Sequence, residues 1–540
     1  MSLLQRLRTK ATIEADLLRL RLQHGRTLAP LTDGTPPYAL VVSLTEFIYQ
    51  LKLEAMIAKA LELRGLTPVF LVPANSELAP RYLERFGVRR FVRLSDHVDD
   101  EIAARAQQDA FELLRSGLTA DSLARLTYRG ASVGRFVLST VSRARHEGAV
   151  DLSDPETQRL AREQLLVALR STLAAEAILD ELKPEVVLFI ERNYAAEAPL
   201  SDLALERGIN VVQFVASSRD DAFVFKRYTQ ETRRVHPRSL SDESWERVKS
   251  LPWTPERDAE LDEEFRRRYD SANALARRRL EWAREWTPDE IRAQLGLDAA
   301  RRTAVVYSHI LWDANMFYGE DLFDDQEDWF VETVRAACAN PRVNWVVKLH
   351  PDNVWKRRRD GLEGEVGEIA LIRDRIGELP AHVKLLRPET PISTRSLFEI
   401  TDVGVTIRGS IGIELPCFGV PVLTAGTGFY SGRGFTIDSA TREEYLERLA
   451  HVEDVAPLTP EQVELARRHA HALFRLRPTT FTSFGTVIRP LDEMGHPLDH
   501  DLVLNVRTRK ELEHAGDLRR LADWAVGSRS LDYLDLTDSD

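Results

Sequence analysis

The stretch Tyr38-Ala39-Leu40-Val41-Val42-Ser43-Leu44 is apolar at nearly every position. It runs into a helical segment over 47–64 that closes at Gly65, and the pattern resumes as Pro68-Val69-Phe70-Leu71-Val72. A strand without polar alternation is buried on both faces, and a helix between two such strands makes a βαβ unit with parallel strands. After a mostly helical 101–150 and a long helix over about 155–182, the pattern returns. Val186-Val187-Leu188-Phe189-Ile190 leads to a helix over about 196–207 and then to Asn210-Val211-Val212-Gln213-Phe214. Beyond 301 come strands at 303–307, 344–349, 382–386, 402–407 and 421–424, with helices between them. The fold class is therefore α/β, with two Rossmann-like halves. The expected division is an N-terminal amphipathic helix (1–30), an N-terminal Rossmann-like domain (31–230), a helical connector or insertion (231–300), a C-terminal Rossmann-like domain (301–460) and a helical extension (461–540).

Composition narrows the function classes. The 540 residues carry 73 Lys plus Arg against 85 Asp plus Glu, a formal net charge of -12, with 43% hydrophobic residues. An acid excess argues against a nucleic-acid partner, whose binding needs clustered positive charge. Two cysteines, Cys338 and Cys417, are too few and too far apart for a disulfide framework or a thiolate metal site. No apolar run reaches the length of a membrane span, and arginines interrupt the opening residues where a signal peptide would be apolar, so a cytoplasmic protein is expected. The opening helix places Leu3, Leu4, Leu7, Ile13, Leu17 and Leu18 on one side and Arg6, Arg8 and Lys10 on the other. Packing on the protein's own surface is the expected use of that face, with peripheral contact to a membrane as the alternative. The runs Arg266-Arg267-Arg268 and Arg277-Arg278-Arg279 alternate with acids and read as a solvated helix face.

In open parallel sheets ligands sit outside the carboxyl ends of the strands, so the candidates are residues just past strands. Val346-Val347-Lys348-Leu349-His350-Pro351 ends a strand with a cation, an imidazole and a chain-turning proline. His350 there can donate to a phosphate oxygen and Lys348 can balance its charge. Thr406-Ile407-Arg408-Gly409-Ser410-Ile411-Gly412-Ile413-Glu414 runs from strand to helix, with Ser410 as the expected N-cap and Gly409 and Gly412 permitting close approach. Glu414 can accept from ribose hydroxyls, and Arg408 can neutralise phosphate or pair with Asp402 or another acid. The loop 425–438 is glycine-rich and offers Tyr430 to a phosphate or base, but lacks both the P-loop and the GxGxxG spacing. His309 and Asp313, past the strand at 303–307, can touch the donor sugar or its phosphate. Glu191, past the strand at 186–190, can act as general base or nucleophile, or be an ordinary surface acid; Glu46 is the weaker acid candidate. His469 and His471 are two apart on a helix and diverge, and no group of residues shows metal-ligand spacing in the sequence.

His350-Pro351, the Ser410–Glu414 turn, Gly419-Val420-Pro421-Val422 and the run from Phe429 to Thr436 together resemble the capsule polysaccharide biosynthesis family of bacterial glycosyltransferases, which includes Kdo transferases. The His-Pro pair is also similar to that of polysialyltransferases and teichoic acid glycerophosphate polymerases. The resemblance implies a GT-B architecture, two Rossmann-like domains facing a central cleft, with His350 and Ser410 on the donor phosphate and Glu414 on the ribose. It implies a nucleotide-sugar co-substrate, a glycan or lipid-linked acceptor, and neither metal nor tightly bound cofactor. Two rivals share the site: a nucleotide-sugar 2-epimerase-like isomerase, and a noncatalytic nucleotide-sugar-binding subunit of an assembly complex.

Overall fold

The computed structural model describes residues 3–115, 117, 119–269, 282–313, 316–489 and 498–536. Arg277-Arg278-Arg279 and the last four residues of the acidic tail lie outside them. In chain order the strands are β1 (Tyr38–Val42), β2 (Thr67–Leu71), β3 (Arg90–Val92), β4 (Val186–Phe189), β5 (Asn210–Ala216), β6 (Ala222–Tyr228), β7 (Thr303–Tyr307) and β8 (Asn344–Lys348). They continue as β9 (Val383–Leu386), β10 (Val403–Thr406), β11 (Val422–Thr424), β12 (Ile437–Asp438), β13 (Thr479–Thr480), β14 (Phe484–Ile488) and β15 (His500–Leu504).

Two compact units divide the chain. Unit 1 is 1–140, 152–233 and 477–540, and unit 2 is 141–151 and 234–476. The segment 231–300 thus packs almost wholly with unit 2, as helices Asp242–Ser250, Pro255–Arg268 and Pro288–Leu295. The C-terminal extension divides: helix Pro460–His471 belongs to unit 2, whereas everything past Leu476 returns to unit 1.

The unit 1 sheet has the order β13-β6-β5-β4-β1-β2-β3, parallel from β5 to β3, with β6 and β13 added antiparallel. Along β1, Ala39 and Val41 enter one hydrophobic cluster and Leu40 and Val42 another, as expected of a strand covered on both faces. The sheet of unit 2, β12-β11-β10-β7-β8-β9, is parallel throughout. Counted within the unit this is the order 6-5-4-1-2-3 of a Rossmann sheet. Each unit therefore has its own switch point where strand order reverses, at β1/β4 in unit 1 and at β7/β10 in unit 2.

Helix Leu3–His24 is part of unit 1. Its Asp16 and Asp501 both bind the buried Lys52, at 2.7 and 2.6 Å, and Tyr82 donates to Asp16 at 3.0 Å. The sequence groups its leucines on one side; the helix separates them, because at 100° per residue positions 13 and 17 lie about 80° to 140° round the axis from 7 and 18. Leu17 and Leu20 are buried, whereas Leu4, Leu7, Leu18 and Leu22 face outward. No helix among the described residues is long and apolar enough to cross a membrane.

Candidate active site

In unit 2, β10, β7 and β8 are neighbours, so their exits stand side by side at the switch point. His309 follows β7 and His350 follows β8, and their ring centroids are 6.4 Å apart. Hydrogen bonding fixes the tautomer of the neutral His350 ring. The Asp352 N–H donates to Nδ1 of His350 at 3.2 Å, which leaves the ring's proton on Nε2. Nδ1 of His309 lies 3.0 Å from the Ile310 carbonyl. Burial, and then the Arg408 charge, push the pKa of His309 down, which favours the neutral ring.

The peptide of His350 is clamped from both ends. Its N–H donates to Oγ of Ser308 at 3.0 Å, and its carbonyl accepts from the Asn353 N–H at 3.1 Å. A third residue joins the clamps: Oε1 of the buried Glu368 accepts from Asn353 Nδ2 at 2.9 Å and from Ser308 Oγ at 3.4 Å. Burial lifts the Glu368 carboxyl to about 7, against the pull of these donors and with a small push from Glu327. Sequence reasoning missed Glu368, because an acid at the second residue of a helix, here Gly367–Arg375, is what the helix dipole favours anyway.

A measurable pH dependence follows. The folded chain holds this proton between an ordinary value near 4.5 and about 7, whereas the unfolded chain has released it, so the group's contribution to stability falls as pH rises through that window. At about 1.4 kcal/mol per tenfold the change is roughly 3 kcal/mol. Denaturant unfolding of wild type and Glu368→Gln at pH 5 and pH 8 should show their stability difference move by that order in favour of the variant at pH 8. A difference independent of pH would place the proton elsewhere.

Lys348 is buried at the end of β8, on the sheet face it shares with Val346, Tyr307 and Leu386. Its ammonium has no hydrogen-bond or ion-pair partner among the described residues, and burial alone lowers its pKa to about 8. A buried cation without a counter-charge is costly. It is the group in this site most in need of an anion.

The other expected site residues are placed differently. Arg408 is committed within the unit: the acid it pairs with is Asp321, at 2.9 Å, and it donates to the Tyr318 carbonyl. Ser410 is itself helical (φ −59°, ψ −19°) and its side chain caps nothing, because the helix it begins, Ile411–Glu414, is a single turn that tightens into a 3₁₀ turn. A turn this short gives little dipole for an anion. Gly412 does permit a close approach, but by Tyr430: a Cβ there would overlap the ring. The Tyr430 hydroxyl donates to the Gly409 carbonyl at 2.9 Å and the residue is fully buried, so it braces the loop wall. Both Glu414 oxygens are taken, by Arg268 at 2.7 Å and by the Tyr269 hydroxyl, which ties the connector to the site. Asp313 would be raised by burial, but Lys356, 2.5 Å away, brings it below its ordinary value and keeps it ionised.

In unit 1, Glu191 is exposed just past β4, at that unit's switch point. The neighbouring Arg192 turns inward to Gln213 at 3.1 Å and lies over the Tyr228 ring. Glu46 accepts from Ser76 at 2.5 Å. His469 and His471 do diverge, the first against Trp245 and Phe435 and the second to Glu260 at 2.9 Å. One surface grouping that the sequence did not suggest, His451, Glu453 and Asp454, has its potential ligand atoms within 4.8 Å of one another. Glu453 is already engaged by Asn340 at 3.0 Å and by Arg342.

No family model and no curated protein matches the sequence. Among solved structures, the β-Kdo 2,4-transferase KpsC of Thermosulfurimonas dismutans is 14% identical with a TM-score of 0.32, over 61% of this chain and 87% of that one. UDP-GlcNAc 2-epimerase from Neisseria meningitidis, bound to UDP-GlcNAc, is 12% identical with a TM-score of 0.27, over 81% and 97%. Anabaena HepE in complex with UDP is 12% identical with a TM-score of 0.28, over 82% and 95%. The identities and TM-scores are low, and the functional reading rests on the chain's own residues.

Proposed function

We propose that unit 2 binds the phosphate of a nucleotide sugar between Lys348 and His350, and that the chain is a GT-B glycosyltransferase of capsular-type surface polysaccharide. The observation that carries this is the buried Lys348, which meets no counter-charge among the described residues, beside a His350 whose neutral ring carries its proton on Nε2, both at the carboxyl edge of a Rossmann sheet. As the glycosidic bond breaks, negative charge develops on the leaving phosphate oxygen; the Lys348 ammonium and the His350 Nε2–H are donors suited to stabilise it. The His309 imidazole and the Asp313–Lys356 pair suit the sugar's hydroxyls. Glu191 is the acceptor-side acid or base in this reading, with a glycan or glycolipid as acceptor. Arg408, Glu414, Gly412 and Tyr430 have supporting parts, holding the loops.

A thermal-shift panel of CMP, CDP, UDP, GDP and ADP tests the donor site. A nucleotide at about a hundred times its Kd adds ~2.7 kcal/mol. One nucleotide should raise the wild-type midpoint and leave that of Lys348→Met nearly unchanged. No shift with any of the five sinks the reading, and release of an altered sugar without acceptor would make the chain an isomerase.

A further inference from the structure

Helix Leu3–His24 buries one side in unit 1 and presents a second apolar stripe on the other. Leu4, Leu7, Leu18 and Leu22 are 70%, 56%, 54% and 74% exposed, where a helix packed on its own protein would carry polar residues. At 100° per residue these four fall within about 60° of one another, opposite Asp16 and Leu20, and run roughly 27 Å along the axis. Cations border the stripe, Arg8 on one side and Lys10 and Arg21 on the other, all exposed. The acid at its edge, Glu14, is paired with Arg81 at 2.7 Å from the neighbouring helix Leu78–Arg85. The face is thus locally basic on a chain whose formal net charge is -12.

We infer that this face docks on an anionic bilayer surface. Leucines sink into the acyl boundary while flanking Arg and Lys side chains reach up to lipid phosphates, a geometry this helix has without rearrangement. A second copy of the chain is the poorer occupant. Pairing the stripe with itself would set Arg8, Lys10 and Arg21 against their own kind, and like charges across an interface oppose association. The docking needs neither donor nor acceptor, so its test is independent of the glycosyl-transfer reading.

The full chain is sedimented with phosphatidylcholine vesicles with and without phosphatidylglycerol, beside Leu7→Gln/Leu18→Gln and Arg8→Gln/Lys10→Gln. These side chains are exposed, so both variants should melt with the wild type. Wild type is expected to pellet with the anionic vesicles and to be released by salt. The leucine variant should lose the pellet, and the charge variant should partition roughly twenty-five-fold more weakly, about fivefold per cation removed. Wild type left in the supernatant, or variants that pellet equally, overturns the inference. So does a leucine variant that changes only the elution volume in gel filtration, which would mean that a second copy covers the face.

Discussion

Replacing His350 with alanine should lower turnover by about two to three orders of magnitude, with a much smaller effect on the apparent affinity for the donor nucleotide. The expectation comes from where its proton sits. With Nδ1 occupied by the Asp352 N–H, the neutral ring has its one donor at Nε2, and a donor placed for a developing charge acts mainly in the transition state. The ring is partly exposed and its backbone is held by Ser308 and Asn353 irrespective of the side chain, so the melting midpoint should barely change. The measurement is steady-state consumption of whichever nucleotide sugar stabilises the wild type. A folded His350→Ala chain that keeps wild-type kcat removes His350 from the chemistry. A change confined to KM would instead make it a ground-state contact, as in a binding subunit.

The parts of the fold legible in the sequence are those in which one physical demand dominates. Strands buried on both faces must be apolar, so β1, β2, β4, β5, β7, β8, β10 and β11 stand out within a residue or two of their ends. β6 was not legible: Ala222-Phe223-Val224-Phe225-Lys226-Arg227-Tyr228 carries two cations in the interior of a sheet. They are tolerated because distant chain satisfies them. Lys226 binds Asp532 at 2.7 Å, and Arg227 donates to the carbonyls of Trp524 at 2.7 Å and Ser530 at 3.1 Å. The same long-range partnership returns the chain past Leu476 to unit 1, which no local pattern announces. In the site, Lys348, His309 and His350 were legible because strand ends fix where they point. The partners of Arg408, Glu414 and Tyr430, namely Asp321, Arg268 and Gly409, come from loops or the connector and carry no local signal.

The two units share a device that the sequence does not mark. Ser308 is the first residue past β7; its N–H donates to the Lys348 carbonyl at 3.0 Å and its hydroxyl to Glu368. Ser43 is the first residue past β1; its N–H donates to the Leu71 carbonyl at 2.9 Å and its hydroxyl to the buried Glu54, which also accepts from Gln50 at 2.8 Å. Burial lifts both carboxyls to about 7. Each switch point thus has a serine and a half-ionised carboxyl behind its first strand. A buried carboxyl fixed there orders the strand exit by hydrogen bonding, and costs stability once it ionises.

Lys348→Met should make the protein more stable at neutral pH and less able to bind nucleotide, two effects of opposite sign from one atom. Burial lowers the ammonium from an ordinary 10.5 to about 8. Below pH 8 the folded chain must therefore keep a charge in a buried site, at a cost of roughly 3 kcal/mol relative to the unfolded chain. The sign can be checked independently. Between about pH 8 and 10.5 the unfolded chain binds more protons at this position than the folded one, so the wild type's stability should rise with pH there while that of the methionine variant does not. Methionine fills a similar volume without the charge, so most of the penalty should be relieved, as when a buried charge is replaced by a well-packed apolar group. An anion bound beside Lys348 relieves the same penalty in the wild type, and that is why binding should be lost with the charge. Denaturant unfolding at pH 7 and pH 9, with and without the stabilising nucleotide, separates the possibilities. A variant less stable than wild type at pH 7 would mean that Lys348 already has a counter-charge and that the anion site lies elsewhere. A stabilised variant that still binds nucleotide with wild-type affinity would leave the lysine a structural liability and shift the phosphate contact to His350 alone.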